Sequence, residues 1–178
     1  MKKNMITAAL LLLSLSLILA FAKGEENKEP GGILVPIVNA KGEEIGSARL
    51  TQQGKKVLLD VEAKGLPPGT HGIHFHNVGK CDPPDFKTAG DHFNPTVKQH
   101  GFKNPKGFHS GDLPNIVVKE DGTVQAKLES AVVSLERGKP NSLLKEGGAA
   151  IVIHEKADDY VTDPSGNSGS RIACGIIS

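Results

Sequence analysis

Seven histidines punctuate a chain of 178 residues, and six of them fall into patterns that suit metal ligation. The first pattern is His71-Gly72-Ile73-His74-Phe75-His76. Side chains alternate faces along a strand, so His74 and His76 point the same way, near enough to share one ion, while Ile73 and Phe75 face a core. His71 falls on the core side, as an outer partner of a metal site or as a structural histidine. The pair taken alone is a weak signal, because most His-x-His pairs are incidental. The second pattern is His92, His100, His109 and Asp112, all within 21 residues of loop broken by glycine and proline. Three imidazoles and one carboxylate make a closed four-coordinate set of the kind zinc takes, and His109 and Asp112 can fold back onto one ion. A metal there would supply order that the apolar content of the loop does not. The alternative is a polar loop that happens to be rich in histidine. The third element, His154, ends the apolar run Ala149–Ile153. A histidine at the exit of a buried strand is more often structural than ligating, and by itself it carries no more than that.

The segments that must position these residues read as strands. Runs at Ile33–Val38, Glu44–Thr51, Lys56–Ala63, His71–Asn77, Asn115–Lys119, Thr123–Glu129, Ala149–His154 and Arg171–Ile177 are short and separated by turn residues. Eight strands suit a sandwich or a barrel. Gly65, Pro67, Pro68 and Gly69 break the chain before His71, and Asp121-Gly122 is a hairpin signal. With 21 glycines, 11 prolines and no helical run after the amino terminus, the fold class is all-β. Two stretches break the rhythm, residues 78–114 and 155–170. Loops of that length in a compact domain are usually functional or disordered. The first holds His92, His100, His109 and Asp112, together with Cys81.

The amino terminus reads as an export signal: Lys2 and Lys3, an apolar run from Met5 to Ala22, and the small-x-small pattern Ala20-Phe21-Ala22. An uncleaved membrane anchor is the other reading, since such a run is just long enough to span. Residues 23–31 then form a flexible tether and residues 32–178 a single domain. Losing residues 1–22 removes two lysines and no acids, leaving 19 basic and 20 acidic residues. A balance so near neutral argues against a nucleic-acid partner, and a membrane is a partner only if the amino-terminal segment is kept. Both cysteines, Cys81 and Cys174, lie in the exported part, where a disulfide is the default.

Five blocks together resemble the copper–zinc superoxide dismutases, over residues 32–178. They are His71–His76, Ala89-Gly-Asp-His-Phe-Asn-Pro95, His109-Ser-Gly-Asp112, Val152-Ile-His-Glu-Lys-Ala-Asp158 and Gly166-Asn-Ser-Gly-Ser-Arg-Ile-Ala-Cys-Gly175. Each is weak alone; their order and spacing make the match specific. The resemblance implies an eight-stranded Greek-key β-sandwich or flattened barrel with two long functional loops. It implies that His74, His76 and His154 bind copper only, that His92 bridges copper and zinc, and that His100, His109 and Asp112 bind zinc only. Asp158 matches the carboxylate that links the two sites by accepting from ligand histidines, Arg171 the arginine at the copper mouth, and Cys81 with Cys174 the family disulfide. Superoxide is the implied substrate, converted to oxygen and hydrogen peroxide by one-electron cycling of copper beside a structural zinc, with His92 and Arg171 the residues in the chemistry. The type is the bacterial, exported one, and a homodimer is among the arrangements the family allows. The stretch from Asp158 to Arg171 is short, so the charges that steer the substrate are not all matched. The alternative is a non-catalytic exported copper- and zinc-binding module on the same fold.

Overall fold

The computed structural model describes residues 31–178. The export signal or anchor expected over 1–22, and all but the last residue of the tether, lie outside them. Among the described residues no helix is long and apolar enough to cross a membrane.

Among the described residues nine strands form, in the order β1 (Ile33–Asn39), β2 (Glu44–Gln53), β3 (Lys56–Ala63), β4 (Gly69–His71), β5 (Ile73–His76), β6 (Ile116–Val118), β7 (Val124–Ser130), β8 (Ala149–His154) and β9 (Arg171–Ile177), with a 3-10 turn at Lys87–Ala89. Their residues follow the period-two rule. In β3, Val57, Leu59, Val61 and Ala63 are buried while Lys56 and Glu62 are exposed. β8 is buried along its whole length. Ala149, Ile151 and Ile153 join the main core, whereas Ala150 and Val152 pack with Phe86, Ala89 and Cys174 under the long loop.

Seven strands make one antiparallel sheet in the order β5-β8-β9-β1-β2-β3-β7, and β4 pairs with β6. The sheet curls around the main core as the expected all-β sandwich or flattened barrel. Pro36 lacks an N–H, and β1 meets β9 only beyond it, at Val38 and Asn39.

Two local expectations change. The strand expected over His71–Asn77 divides at Gly72, giving nine strands rather than eight: β4 pairs with β6, and β5 pairs with β8. The second concerns the turn at Asp121-Gly122. It forms as expected, with Gly122 at φ 78° and Asp121 Oδ1 accepting from the Thr123 N–H at 2.9 Å. Yet β6 and β7 do not ladder with each other; β7 pairs with β3 across its length. The turn residues set a reversal, while the burial of Ile116 and Val118 on one side and Val124 on the other sets the partners.

Candidate metal centre

β5 supplies the first ligand pair. Ile73 and Phe75 are fully buried in the main core, and His74 and His76 lie on the other face. That face is covered by the chain between β5 and β6, which runs back along β5. The Phe75 N–H donates to Gly111 O at 2.9 Å, the Phe93 N–H to Phe75 O at 2.8 Å and the Gly111 N–H to Phe93 O at 2.7 Å. A Cβ on Gly111 would collide with the carbonyl of Phe75, so only glycine lets the loop approach this closely. The alignment brings Asp112 beside His74 and His92 beside His76.

The order of this loop does not rest on metal alone, contrary to the expectation from its sparse apolar content. Phe86, Ala89, Phe93 and Leu113 are buried, and Cys81 is bonded to Cys174 of β9 across 93 residues. Closing a loop of that length takes about 4–5 kcal/mol of chain entropy out of the unfolded state.

All the histidines proposed as ligands from the sequence come together. His74, His76, His92 and His154 form one set and His92, His100, His109 and Asp112 a second; within each, the donor atoms lie within 4.8 Å of one another. His92 belongs to both. Its Nδ1 lies 3.0 Å from Asp112 Oδ1, and its Nε2 turns toward the first set without a hydrogen-bond partner.

The two sets differ in how their polar atoms are satisfied. In the first, His74 Nδ1, His76 Nε2, His92 Nε2 and His154 Nε2 are buried and unpartnered. Buried nitrogen without a partner is costly and rare in native proteins, and four aimed into one space fit a cation that imidazoles share. Each ring is fixed from its outer side: His74 Nε2 by Asp158 Oδ2 at 2.9 Å, His76 Nδ1 by Gly90 O at 2.8 Å, and His154 Nδ1 more loosely by Gly169 O at 3.3 Å. In the second set Asp112 Oδ1 faces His100 Nδ1 at 2.9 Å and His109 Nδ1 at 3.4 Å, while Asp112 Oδ2 accepts the N–H groups of Gly101 and His109. His109 Nδ1 and His92 Nδ1 are 3.3 Å apart. Donors around a tetrahedral zinc stand about 3.3 Å from one another, so the set has the right size for that ion.

The electrostatics follow. Burial first, then neighbouring histidines, lowers His92 to about 3. His74 and His154 fall to about 4, again chiefly through burial, and His76 falls well below its usual value for the same reason. Burial would lower His100 too, but hydrogen bonds to Asp112 and Asp158 outweigh it and raise that ring to about 9. Asp112 and Asp158 stay well below the usual carboxylate range; burial opposes this, and the surrounding imidazole and amide donors win. Neutral imidazoles and ionised carboxylates are the forms a metal requires; His74, His76, His92 and His154 meet that condition near neutral pH, whereas His100 must release a proton to bind.

Asp158 joins the sets, its Oδ2 on His74 and its Oδ1 on His100 Nε2 at 2.9 Å. Asn115 holds Asp158 by its backbone, donating to Asp158 O and accepting from the Asp158 N–H at 2.9 Å each. Gly166, at φ 65°, passes so close that a Cβ there would strike Asp158 Oδ1. His71 grips the backbone instead, with Nδ1 2.8 Å from His154 O and Nε2 2.8 Å from Pro67 O. Arg171 donates to Phe86 O at 2.7 Å and Gly90 O at 2.8 Å. Its guanidinium borders a cavity of about 770 Å³ that reaches His76, His92 and His154 and is also lined by Lys98, Lys145, Asp91 and Asp163. Asn115, Lys98, Lys145 and Asp163 were not singled out from the sequence. Nothing in their type or spacing marks them, and only the folded path brings them here.

Known proteins resemble the chain over most of its length. A family model described as copper/zinc superoxide dismutase matches residues 44–177. The chain is 54% identical to Cu-Zn superoxide dismutase 1 of Aquifex aeolicus over 142 residues, covering 79% of this chain and 84% of that one. It is 45% identical to the Cu-Zn superoxide dismutase of Caulobacter vibrioides over 139 residues, covering 76% and 79%. Among solved structures, a superoxide dismutase-like protein from Bacillus subtilis superposes with a TM-score of 0.79 at 43% identity, over 82% of this chain and 97% of that one. The Cu/Zn superoxide dismutase of Brucella abortus superposes with a TM-score of 0.66 at 26% identity, over 83% and 99%.

Proposed function

The chain belongs to the copper/zinc superoxide dismutase family, and we propose that His74, His76, His92 and His154 hold its copper while His92, His100, His109 and Asp112 hold its zinc. It is a superoxide dismutase, turning two superoxide anions and two protons into oxygen and hydrogen peroxide. Bound copper supplies the one-electron exchange, and bound zinc, which has no redox chemistry, supplies fixed charge and order.

The chain's own residues do the rest. Arg171, steadied by two carbonyls, presents a positive group to an anion beside the copper set. His92 keeps Nδ1 with the zinc set, so Nε2 is the atom that can take up a proton and deliver it to the forming peroxide. Asp158 fixes the tilt of His74 and His100 at once, and His71 holds the main chain at His154. The cavity reaches His76, His92 and His154 and gives the substrate a path to them.

The observation that carries the assignment is the group of four buried, unpartnered ring nitrogens. Metal analysis of the full-length mature protein tests it, with dismutation assayed before and after added copper. We expect about one copper and one zinc per chain. Zinc alone, with no activity after copper is supplied, would sink the copper assignment.

The Cys81–Cys174 disulfide suits an oxidising compartment. With Lys2, Lys3 and the apolar run Met5–Ala22, it supports export to the cell envelope or beyond, with the domain beginning at residue 32. Amino-terminal sequencing of the protein recovered from its native source tests this, and a start at Met1 in a soluble cytoplasmic fraction would overturn it.

A further inference from the structure

Except for His92, which turns one nitrogen to each set, every ring has an inner nitrogen, aimed at a metal position, and an outer one. Outer partners fix the orientation of ligating histidines and raise their basicity. Asp158 serves His74 and His100, and carbonyls serve His76 and His154. The outer nitrogen of His109 faces Asp163, whose Oδ1 lies 3.7 Å from His109 Nε2. That same oxygen accepts the backbone N–H of His100 at 2.6 Å. Asp163 sits between β8 and β9, in the segment that also carries Asp158, and borders the cavity on the zinc side.

We propose that Asp163 is a positioning residue for zinc, pinning the main chain at His100 and orienting the imidazole of His109 from its outer nitrogen. The proposal rests on the reading of His92, His100, His109 and Asp112 as the zinc set. The carboxylate is half exposed, with 45% of its side-chain surface accessible, and His109 is nearly buried at 8%. At 3.7 Å the pair stands just beyond hydrogen-bonding distance, near enough for the carboxylate's charge to act on the outer nitrogen of the ring while its Oδ1 keeps the His100 N–H. Together Asp158 and Asp163 then give each zinc-only histidine a carboxylate on its outer nitrogen, both drawn from the segment 155–170. That segment is thereby coupled to zinc as well as to the cavity.

The test compares zinc affinity of the full chain, by competition with a chromophoric chelator, for Asp163→Asn and Asp163→Ala. The Asn side-chain carbonyl still accepts the His100 N–H, so this variant separates the anchoring of the main chain from the charge presented to His109. We expect Asp163→Asn to weaken zinc binding by about 10-fold or more, with copper affinity unchanged and the His109 ring N–H exchanging faster with solvent in the zinc-loaded protein. Wild-type zinc affinity in Asp163→Asn overturns the proposal, even if Asp163→Ala is weakened, because the carboxylate would then only anchor the loop. No zinc binding by the unmodified chain would instead defeat the zinc set itself.

Discussion

The sets proposed for copper and for zinc share His92 but are built on opposite terms. Apart from the shared His92, the copper set stands on two adjacent strands, β5 and β8, and its four inner nitrogens are buried with nothing to bond to. The zinc set stands on loop, and its inner atoms already satisfy one another around Asp112. Rigid strands can hold an unsatisfied arrangement open because the core fixes their register. A loop cannot, and here it folds around an internal carboxylate that stands in for part of the order a cation would give. The copper set should therefore be costly to the metal-free protein and the zinc set supportive of it.

Single truncations give the widest contrast. His154→Ala removes one unpartnered nitrogen: dismutation should fall by more than about 100-fold, beyond the effect of outer partners, while zinc content and the unfolding midpoint of the metal-free protein hold. Asp112→Ala leaves His100, His92 and His109 facing each other without their carboxylate. It should destabilise the metal-free protein by about 3–5 kcal/mol, the cost of breaking a buried charged pair. Urea unfolding of both variants checks this, and equal losses would erase the distinction.

Acid and alkali should separate the sets next. His74, His92 and His154 titrate near 4, 3 and 4 in the folded chain, below the value of about 6.5 expected when unfolded. Between those values the unfolded chain binds more protons, so the metal-free protein loses stability as pH falls from about 6.5 toward 4, at up to about 1.4 kcal/mol per unit for each histidine. His100 runs the other way. Raised to about 9, its contribution is full below about 6.5 and is lost as pH rises through 9. Unfolding midpoints from pH 4 to 10 should trace both limbs, and Asp112→Ala should flatten the alkaline one.

Zinc removal sharpens the contrast within the loop. The half containing Phe86 and Ala89 is tied to β8 and β9 by packing and by the disulfide, and Phe93 is buried in the main core, whereas residues 94–109 have less to hold them. Hydrogen exchange on the zinc-free protein should quicken in residues 94–109 first and leave β5 and β8 protected. Uniform loosening of every strand would contradict it.

The smallest effect concerns access. The cavity carries Arg171, Lys98 and Lys145 against Asp91 and Asp163, and among the described residues neither lysine forms an ion pair. Exchanging both for Gln should slow dismutation about threefold to tenfold at low salt and flatten its dependence on ionic strength. Exchange for Arg should preserve both.

Much of this centre was legible before any fold was known. Alternation along Ile73–His76 put two imidazoles on one face, and they lie there. The crowding of three histidines and Asp112 into one loop announced a second cluster, and the blocks around them carried the family. His154 was different. Its own surroundings read as a buried strand end, and it entered the copper set only through the family pattern and then through the pairing of β8 with β5. Turn chemistry at Asp121-Gly122 located a reversal but named the wrong strand partners.

The sequence by itself determined which residues could bind metal and which strand face they would occupy, because a period of two is a property of the backbone alone. Only the tertiary structure decided that β8 lies beside β5, that Asn115 clasps Asp158, and that Asp163, Lys98 and Lys145 border the same cavity. Those juxtapositions join segments far apart in the chain, and what joins them is the closing of one core by the curled sheet, to which no local pattern has access.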